Sequence, residues 1–390
     1  MSITPERHAA PAPGQRAHAN MVWGARARAL IEQTHALYAS WLEAPLLACL
    51  LDAEQKLFEQ SWLAPGYAEQ QAYISSRQRL QSYRDAIEQR FRSEVIKRFE
   101  QIGATVDNTA APMPLALSAT LSLLDNDETD EHAMLEQVAA RSEARHASTL
   151  FELGYRFAAL AAQPPLAGDK LPLSAQAQSL AFLDALREWE LPAAHRVLLL
   201  DAFDHAVVRE LLPLYETINQ HLIDAGVLPY LRAYRVARPG EDPRPHVPAD
   251  AADAGPAGER HRAERGKIDQ AVAVCDLIHD RPIGRLGDLS ATGLQLISHA
   301  VPRSDAVYQV SLRLPGTGTA PPLELGIQEQ WQDAAAAPGQ VWAGFRIVSI
   351  SPADAERLDA WLAPPGRAGT EPGLSSGLHV RPMAGPPRRA

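Results

Sequence analysis

The spacing of the apolar residues changes once along this chain of 390 residues, and that change limits the fold more than any other feature. From residue 21 to residue 236, apolar positions recur every three or four residues, which is the period of helices that bury one face. Beyond residue 259, apolar and polar residues alternate, which is the period of half-buried strands. The sequence therefore predicts an α+β multidomain protein, in which an N-terminal all-α helical domain is followed by antiparallel strands.

The helical period is clearest in one segment near residue 90. Its apolar residues form a single stripe that consists of Leu80, Tyr83, Ile87, Phe91, Val95, Phe99 and Ile102. Charged residues such as Arg84, Glu88 and Arg92 lie off this stripe. The pattern predicts one helix whose apolar face packs in a bundle or pairs with a partner helix, including one from a second copy of the chain.

The other helices of this region are predicted from their periodic segments and from their start and stop residues. Two short helices are expected on either side of Pro45, because proline is poorly tolerated inside a helix. The predicted helices cover about 25–41, 46–58, 125–162, 174–189 and 192–225. Gly226 and Pro229 are expected to end the last of them. The helical domain is assigned to 21–236, after a disordered tail at 1–20.

A change in composition separates the two regions. The stretch 237–258 is rich in Pro, Ala, Asp and Gly and has no period, so it is predicted to be a flexible linker. The strands and one last helix are assigned to 259–364, followed by a disordered tail at 365–390. Ser351 is the expected N-cap of that helix, with Pro352 at its first position.

Charge and cysteine content limit the classes of function. The net charge of −10 argues against a protein that mainly binds nucleic acid, because such proteins need many cations to contact phosphates. Cys49 and Cys275 are too far apart in sequence to suggest a disulfide framework or a metal site. No signal peptide and no stretch of about 20 apolar residues is recognised, so a cytoplasmic protein without membrane insertion is predicted.

One short motif indicates a ligand-binding barrel. The run Asp288-Leu289-Ser290-Ala291-Thr292-Gly293 follows a basic arm and a first strand, and it precedes a meander, the run Trp342-Ala343-Gly344-Phe345 and the last helix. In motif and in order, residues 259–364 resemble a PilZ domain, the small antiparallel β-barrel that bacteria use to sense cyclic di-GMP. The resemblance covers about a quarter of the chain and implies cyclic di-GMP as the ligand, with no cofactor.

The motif residues suit a dianionic dinucleotide with two guanines. Asp288 can accept hydrogen bonds from a guanine edge, and Ser290 can donate to a phosphate oxygen. Gly293 lets ligand or chain approach where a Cβ atom would clash. The alternative for Asp288 and Ser290 is that they cap a turn and shape the barrel whether or not a ligand binds.

The basic arm departs from the family pattern. The resemblance implies R-x-x-x-R about twenty residues before the aspartate, but this chain has His261 and Arg265 there, flanked by Arg260 and Arg262. Loss of one charge-assisted hydrogen bond costs on the order of 1.5 to 3 kcal/mol, so affinity falls roughly 10- to 150-fold unless a flanking arginine substitutes. The alternative is a solvated basic run without a ligand.

A second resemblance concerns the helical region. The run from Leu121 to Glu128, the long helix after it, and the segments Tyr215 to Asn219 and Gly226 to Pro229 resemble a bacterial helical family that is found elsewhere in longer chains. That resemblance covers about 110–235 and implies no known activity.

Three functions are weighed. The first is a cyclic di-GMP-responsive signalling adaptor that relays binding to a protein partner, or to self-association, through the helices. The second is a PilZ-like interaction module that no longer binds nucleotide. The third is a metal-dependent enzyme that uses Asp201, Asp204 and His205, although an ion pair with Arg209 also explains these residues. No nucleotide-binding glycine loop or nucleophile motif is present, so the prediction is not an enzyme.

Overall fold

The computed structural model describes residues 24–102, 126–231, 266–267, 271–335 and 339–363, and only the backbone at 126–129 and 266–267. The N-terminal part of this described chain is helical, as predicted. Its helices are α1 (Ala25–Leu63), α2 (Tyr67–Ser82), α3 (Arg84–Gln101), α4 (Asn126–Ala161), α5 (Ala175–Leu186), α6 (Ala193–Ala206) and α7 (Leu211–Asp224). The predicted tails and the predicted linker lie outside the described residues.

A cluster of phenylalanines forms the centre of the helical core. Phe182 stacks on Phe203 with ring centroids 4.5 Å apart, and Phe91 meets both rings edge to face. All three rings are fully buried, and such aromatic pairs add about 0.5 to 1.5 kcal/mol each beyond the burial of their area. This contact joins α3, α5 and α6 into one packed unit.

Helix α1 is continuous across Pro45, so the prediction of two short helices is wrong. Leu42 and Leu46 lie on the same face, one turn apart, and both are buried in the core. Packing on both sides of the proline therefore offsets the roughly 3 kcal/mol that a proline costs inside a helix.

The apolar stripe near residue 90 belongs to two helices, because the chain leaves helical geometry at Tyr83. The ring of Tyr83 is half exposed and stacks on Trp189 with centroids 4.5 Å apart. The other six stripe residues are buried in the helical core. This stripe is therefore not available for a partner or a second copy, which corrects that part of the prediction.

The predicted helix at 192–225 is also divided. A short 3-10 turn at Val208–Glu210 separates α6 from α7. Pro213 then lies in the first turn of α7, where its missing N–H costs no intrahelical hydrogen bond. Gly226 adopts a φ of +75° after α7, so this end of the helix is confirmed.

Among the described helices, α1 contains one 18-residue window that is long and apolar enough to cross a membrane by length and composition. The expectation that no such stretch exists is therefore wrong. A third of this window is buried in the protein, and core helices of water-soluble proteins meet the same test.

The C-terminal part is a closed antiparallel barrel. Its strands are β1 (Gly266–Lys267), β2 (Ala273–Asp276), β3 (Arg281–Leu289), β4 (Gly293–Ser298), β5 (Val307–Leu312), β6 (Leu323–Ala334) and β7 (Val341–Ile350). Six strands close in the order β3-β2-β5-β6-β7-β4, because β4 also pairs with β3, and the short β1 pairs with β3. Helix α8 (Pro352–Leu362) follows, and its N-cap Ser351 accepts a hydrogen bond from the Asp354 N–H. The predicted fold class is confirmed.

The barrel packs directly on the helices. The Val307 N–H donates to the Gln163 carbonyl over 3.1 Å, and the Leu228 N–H donates to Gln309 Oε1 over 3.2 Å. Val307 and Val348 belong to the helical core cluster rather than to the barrel core. Strand β5 is therefore buried on both faces, which corrects the prediction of a half-buried strand.

His195 gives the helical region a measurable dependence on pH. The ring is buried, stacks on Tyr73 with centroids 4.1 Å apart, and lies 2.8 Å from the Ser76 hydroxyl. Burial lowers the pKa of His195 to about 4, whereas the ordinary value of 6.5 applies to the unfolded chain. Because the unfolded chain takes up the proton first, the stabilisation is complete above pH 6.5 and is lost as the pH falls towards 4.

We expect the unfolding free energy of the wild type to fall by about 3 kcal/mol more than that of His195→Gln across this range of pH. Urea titrations of the full chain at several pH values measure the difference. His132→Gln is the control, because the His132 side chain is exposed. An equal pH dependence in wild type and His195→Gln would show that His195 is not the responsible group.

Candidate functional site

The motif residues Ser290 to Gly293 form the turn between β3 and β4. The Ser290 N–H donates to the Gly293 carbonyl over 2.8 Å. The Ser290 hydroxyl donates to the same carbonyl over 3.0 Å and accepts from the Gly293 N–H over 3.1 Å. The hydroxyl therefore holds the turn, as the turn-capping interpretation expects.

Gly293 is required by the chain itself. It pairs with Arg346 of β7, and a Cβ atom added at Gly293 would lie 2.4 Å from the Phe345 carbonyl oxygen. That separation is far below van der Waals contact, so a larger residue forces β4 and β7 apart. Of the two roles predicted for Gly293, the close approach of the chain is the one that the structure shows.

Asp288 lies near the end of β3, beside a bulge between Leu286 and Asp288. Its backbone pairs with Gln295 of β4 and with Lys267 of β1. Strand β1 begins directly after Arg265, so the chain returns from the basic arm to the motif at this point. The arm residues Arg260, His261, Arg262 and Arg265 themselves lie outside the described residues.

An open pocket of about 300 Å³ adjoins the motif on the outer surface of the barrel. Its lining comes from the motif and from β4, β6 and β7, and includes Asp288, Ser290, Gly293, Gln295, Gln330, Trp331 and Arg346. The pocket therefore brings together the three described motif residues that the sequence predicts to bind ligand. It adds Gln330, Trp331 and Arg346, which were not predicted.

Trp331 provides an aromatic face at this pocket. Its indole lies across Gly344, where an added Cβ atom would be 2.1 Å from Nε1, and its side chain is 48% exposed. The aromatic residues of the barrel are by default mostly core, and the inward alternation of Leu323, Leu325 and Ile327, if continued, places Trp331 inward. A bulge between Glu329 and Trp331 reverses this alternation, so Trp331 lies on the outer surface and not in the core.

Arg346 provides a cation at the same pocket. Phe345 and Ile347 face the barrel core, so the alternation of β7 directs Arg346 outward. Its cross-strand neighbours are Gly293 on β4 and Gln328 on β6. The guanidinium Nη2 donates to Gln328 Oε1 over 2.8 Å. The alternation in the sequence already contained the signal for an outward arginine beside the motif.

The pocket thus combines a carboxylate, an exposed indole and a guanidinium. A carboxylate accepts hydrogen bonds from the N–H groups of a base edge, and an indole can stack on the face of a base. A guanidinium binds phosphate oxygens through its fork of N–H donors. This set of groups suits a nucleotide ligand.

The two candidate metal-binding aspartates of α6 are engaged in ion pairs. Asp204 is buried and accepts from Arg141 and Arg209 over 3.1 and 3.0 Å, while Asp201 accepts from Lys56 over 2.5 Å. His205 is exposed on the same helix. Across the described residues, no group of three or more His, Cys, Asp or Glu side chains could hold a metal ion. The predicted ion pair with Arg209 is the arrangement observed.

Comparison with known proteins identifies the helical region. A family profile described as "Protein of unknown function (DUF1631) N-terminal domain" matches residues 26–226, just over half of the chain. The match begins well before residue 110, so the predicted extent of the resembled helical family was too short. The barrel lies outside the matched residues, and no curated protein matches the chain.

Among solved structures, one similar chain is titled "Structure of Bacillus subtilis Inhibitor of motility (MotI/DgrA)". The two sequences are 14% identical, and the overlap covers 27% of this chain and 49% of that one, with a TM-score of 0.24. The overlap thus spans about half the length of the Bacillus subtilis protein.

Proposed function

Because the chain belongs to the family defined by the DUF1631 N-terminal domain and joins that domain to a barrel with the Asp288 to Gly293 turn, we propose that it is a signalling adaptor. The barrel pocket binds cyclic di-GMP, and the helical region relays the binding to a protein partner in the cytoplasm. The proposed role is binding rather than catalysis. The observation that carries the proposal is the pocket in which Asp288, Trp331 and Arg346 lie together.

The groups of the pocket divide between the two parts of the ligand. Asp288 accepts from the N–H groups of one guanine, and Trp331 stacks on a base. Arg346 binds a phosphate oxygen, and the arginines of the basic arm supply further cations. The net charge of the chain is −10, which repels a dianionic ligand. The positive charge of the arm supplies the local attraction that such a ligand requires.

Titration calorimetry of the full chain with cyclic di-GMP tests the proposal. We expect saturable heat for the wild type, and an affinity lower by about tenfold or more in Asp288→Ala and in Arg265→Ala, because each loses a charge-assisted hydrogen bond. Asp333→Ala is the matched control, since Asp333 is an exposed acid on β6 that does not line the pocket. Absence of heat at high micromolar ligand would refute the receptor function.

A second function is favoured by two observations. The Ser290 hydroxyl is already engaged by the turn, and His261 stands at the position where the resembled family has its first arginine. Both features suit a PilZ-like module that contacts only proteins and has lost the nucleotide. Under this alternative, calorimetry with cyclic di-GMP is flat, and binding of the protein partner does not change when the nucleotide is added.

A further inference from the structure

One hydrogen-bonded group of side chains connects the pocket to helix α4. Gln328 Oε1 accepts from Arg346 Nη2 over 2.8 Å and from the Tyr155 hydroxyl of α4 over 3.2 Å. Arg346 also hydrogen-bonds the Tyr155 hydroxyl. We call Arg346, Gln328 and Tyr155 the bridging triad, because it joins β7, β6 and α4.

The triad lies where the outer surface of the barrel becomes an interface. The outward-facing positions of β7 are Gly344, Arg346 and Val348. Gly344 and Arg346 line the pocket, whereas Val348 belongs to the helical core. Gln328 is buried, and its Nε2 donates to the Asp305 carbonyl over 3.4 Å. Burial raises the pKa of Tyr155, so its phenol remains a neutral hydrogen-bond donor. Polar contacts in such a site are stronger than they are in water.

An anionic ligand alters the hydrogen bonds available to Arg346. Its present acceptors in the triad are a neutral amide oxygen and a neutral phenol oxygen. A phosphate oxygen is a charged acceptor, so its bond to the guanidinium adds the attraction between opposite charges, which a neutral amide or phenol oxygen does not supply. A phosphate in the pocket therefore draws the guanidinium away from Gln328 and Tyr155.

From this geometry we propose that Arg346 is shared between the ligand phosphate and the interface, so that nucleotide binding weakens the docking of the barrel on helix α4. The inference rests on the proposed function, because the nucleotide supplies the competing acceptor. Arg346 contacts the ligand, and Tyr155 acts on binding only through Arg346. Linkage makes this effect reciprocal. If nucleotide binding weakens the Tyr155 hydrogen bonds by a given factor, then removing those bonds strengthens nucleotide binding by the same factor.

The test compares two variants of the triad by calorimetry with cyclic di-GMP. We expect Tyr155→Phe to bind the nucleotide about 2- to 10-fold more tightly, since a neutral hydrogen bond contributes about 0.5 to 1.5 kcal/mol. We expect Arg346→Gln to bind at least about tenfold more weakly, because its charge-assisted bond to the phosphate is lost. Tyr73→Phe is the control, since Tyr73 packs on His195 within the helical region. If the triad only stabilises the fold, Tyr155→Phe and Arg346→Gln do not change the affinity for cyclic di-GMP in opposite directions.

Hydrogen exchange gives an independent readout in the wild type. We expect faster amide exchange in the C-terminal half of α4, around Tyr155, when cyclic di-GMP is added at saturation. Unchanged affinity in Tyr155→Phe, or slower exchange in α4, overturns the inference and leaves the proposed function standing. A flat titration of the wild type instead overturns the proposed function, and the inference with it.

Discussion

Replacing Trp331 by alanine will lower the affinity for cyclic di-GMP by roughly 5- to 150-fold, because a base stacked on an aromatic side chain contributes about 1 to 3 kcal/mol. The indole lies across Gly344 and forms one wall of the pocket, so its exposed face is available to a purine. Calorimetric titration of the full chain measures the change. The fold should be retained, because the Trp331 side chain is half exposed and its loss leaves no large cavity in the barrel core.

Trp62→Ala is the matched control for this prediction. Trp62 is an exposed tryptophan on α1, far along the chain from the barrel and absent from the pocket lining. Its replacement should leave the affinity for cyclic di-GMP within about twofold of the wild type. If Trp331→Ala and Trp62→Ala both bind as the wild type does, the indole of Trp331 is not a stacking surface.

Replacing Gly293 by valine will reduce the free energy of unfolding of the barrel by on the order of 4 kcal/mol. The new Cβ atom would lie 2.4 Å from the Phe345 carbonyl oxygen, and backbone cannot rotate away as a flexible side chain does. Strands β4 and β7 must separate, which also breaks hydrogen bonds of a closed barrel. Urea titration of the ligand-free chain measures the loss.

Gly66→Val is the control for the glycine prediction. An added Cβ atom at Gly66 meets no atom within 4 Å, and the backbone there is extended, with a φ of −136°. Its effect on stability should stay within about 1 kcal/mol. Equal stability of Gly293→Val and the wild type would mean that β4 and β7 can separate without cost, and Gly293 would then be free to serve a ligand.

Local sequence signals predicted several elements well. The alternation of Leu323, Leu325 and Ile327 in β6 and the N-cap at Ser351 arise from hydrogen bonding and burial within a few residues, which the sequence contains directly. The run from Asp288 to Gly293 likewise marked the turn beside the pocket. In the structure Ser290 holds the turn and Gly293 lies against β7, and their predicted contacts with a ligand stay predictions.

Other features depend on contacts between distant parts of the chain. Pro45 suggested a helix break, but the buried leucines on either side of it keep α1 intact. The outward position of Trp331 follows from a single bulge in β6, whose location no local pattern shows. The docking of β5 on the helices buries a face that the alternation assigns to solvent. Tertiary packing decided each of these cases.

The central claim is that cyclic di-GMP binds in the pocket beside the Asp288 to Gly293 turn. A crystal structure of the full chain with saturating cyclic di-GMP tests it most directly. The account predicts the dinucleotide in this pocket, with a guanine against Trp331 and a phosphate oxygen within hydrogen-bond distance of Arg346. Nucleotide bound at another surface, or a pocket that stays empty at saturating ligand, would contradict it.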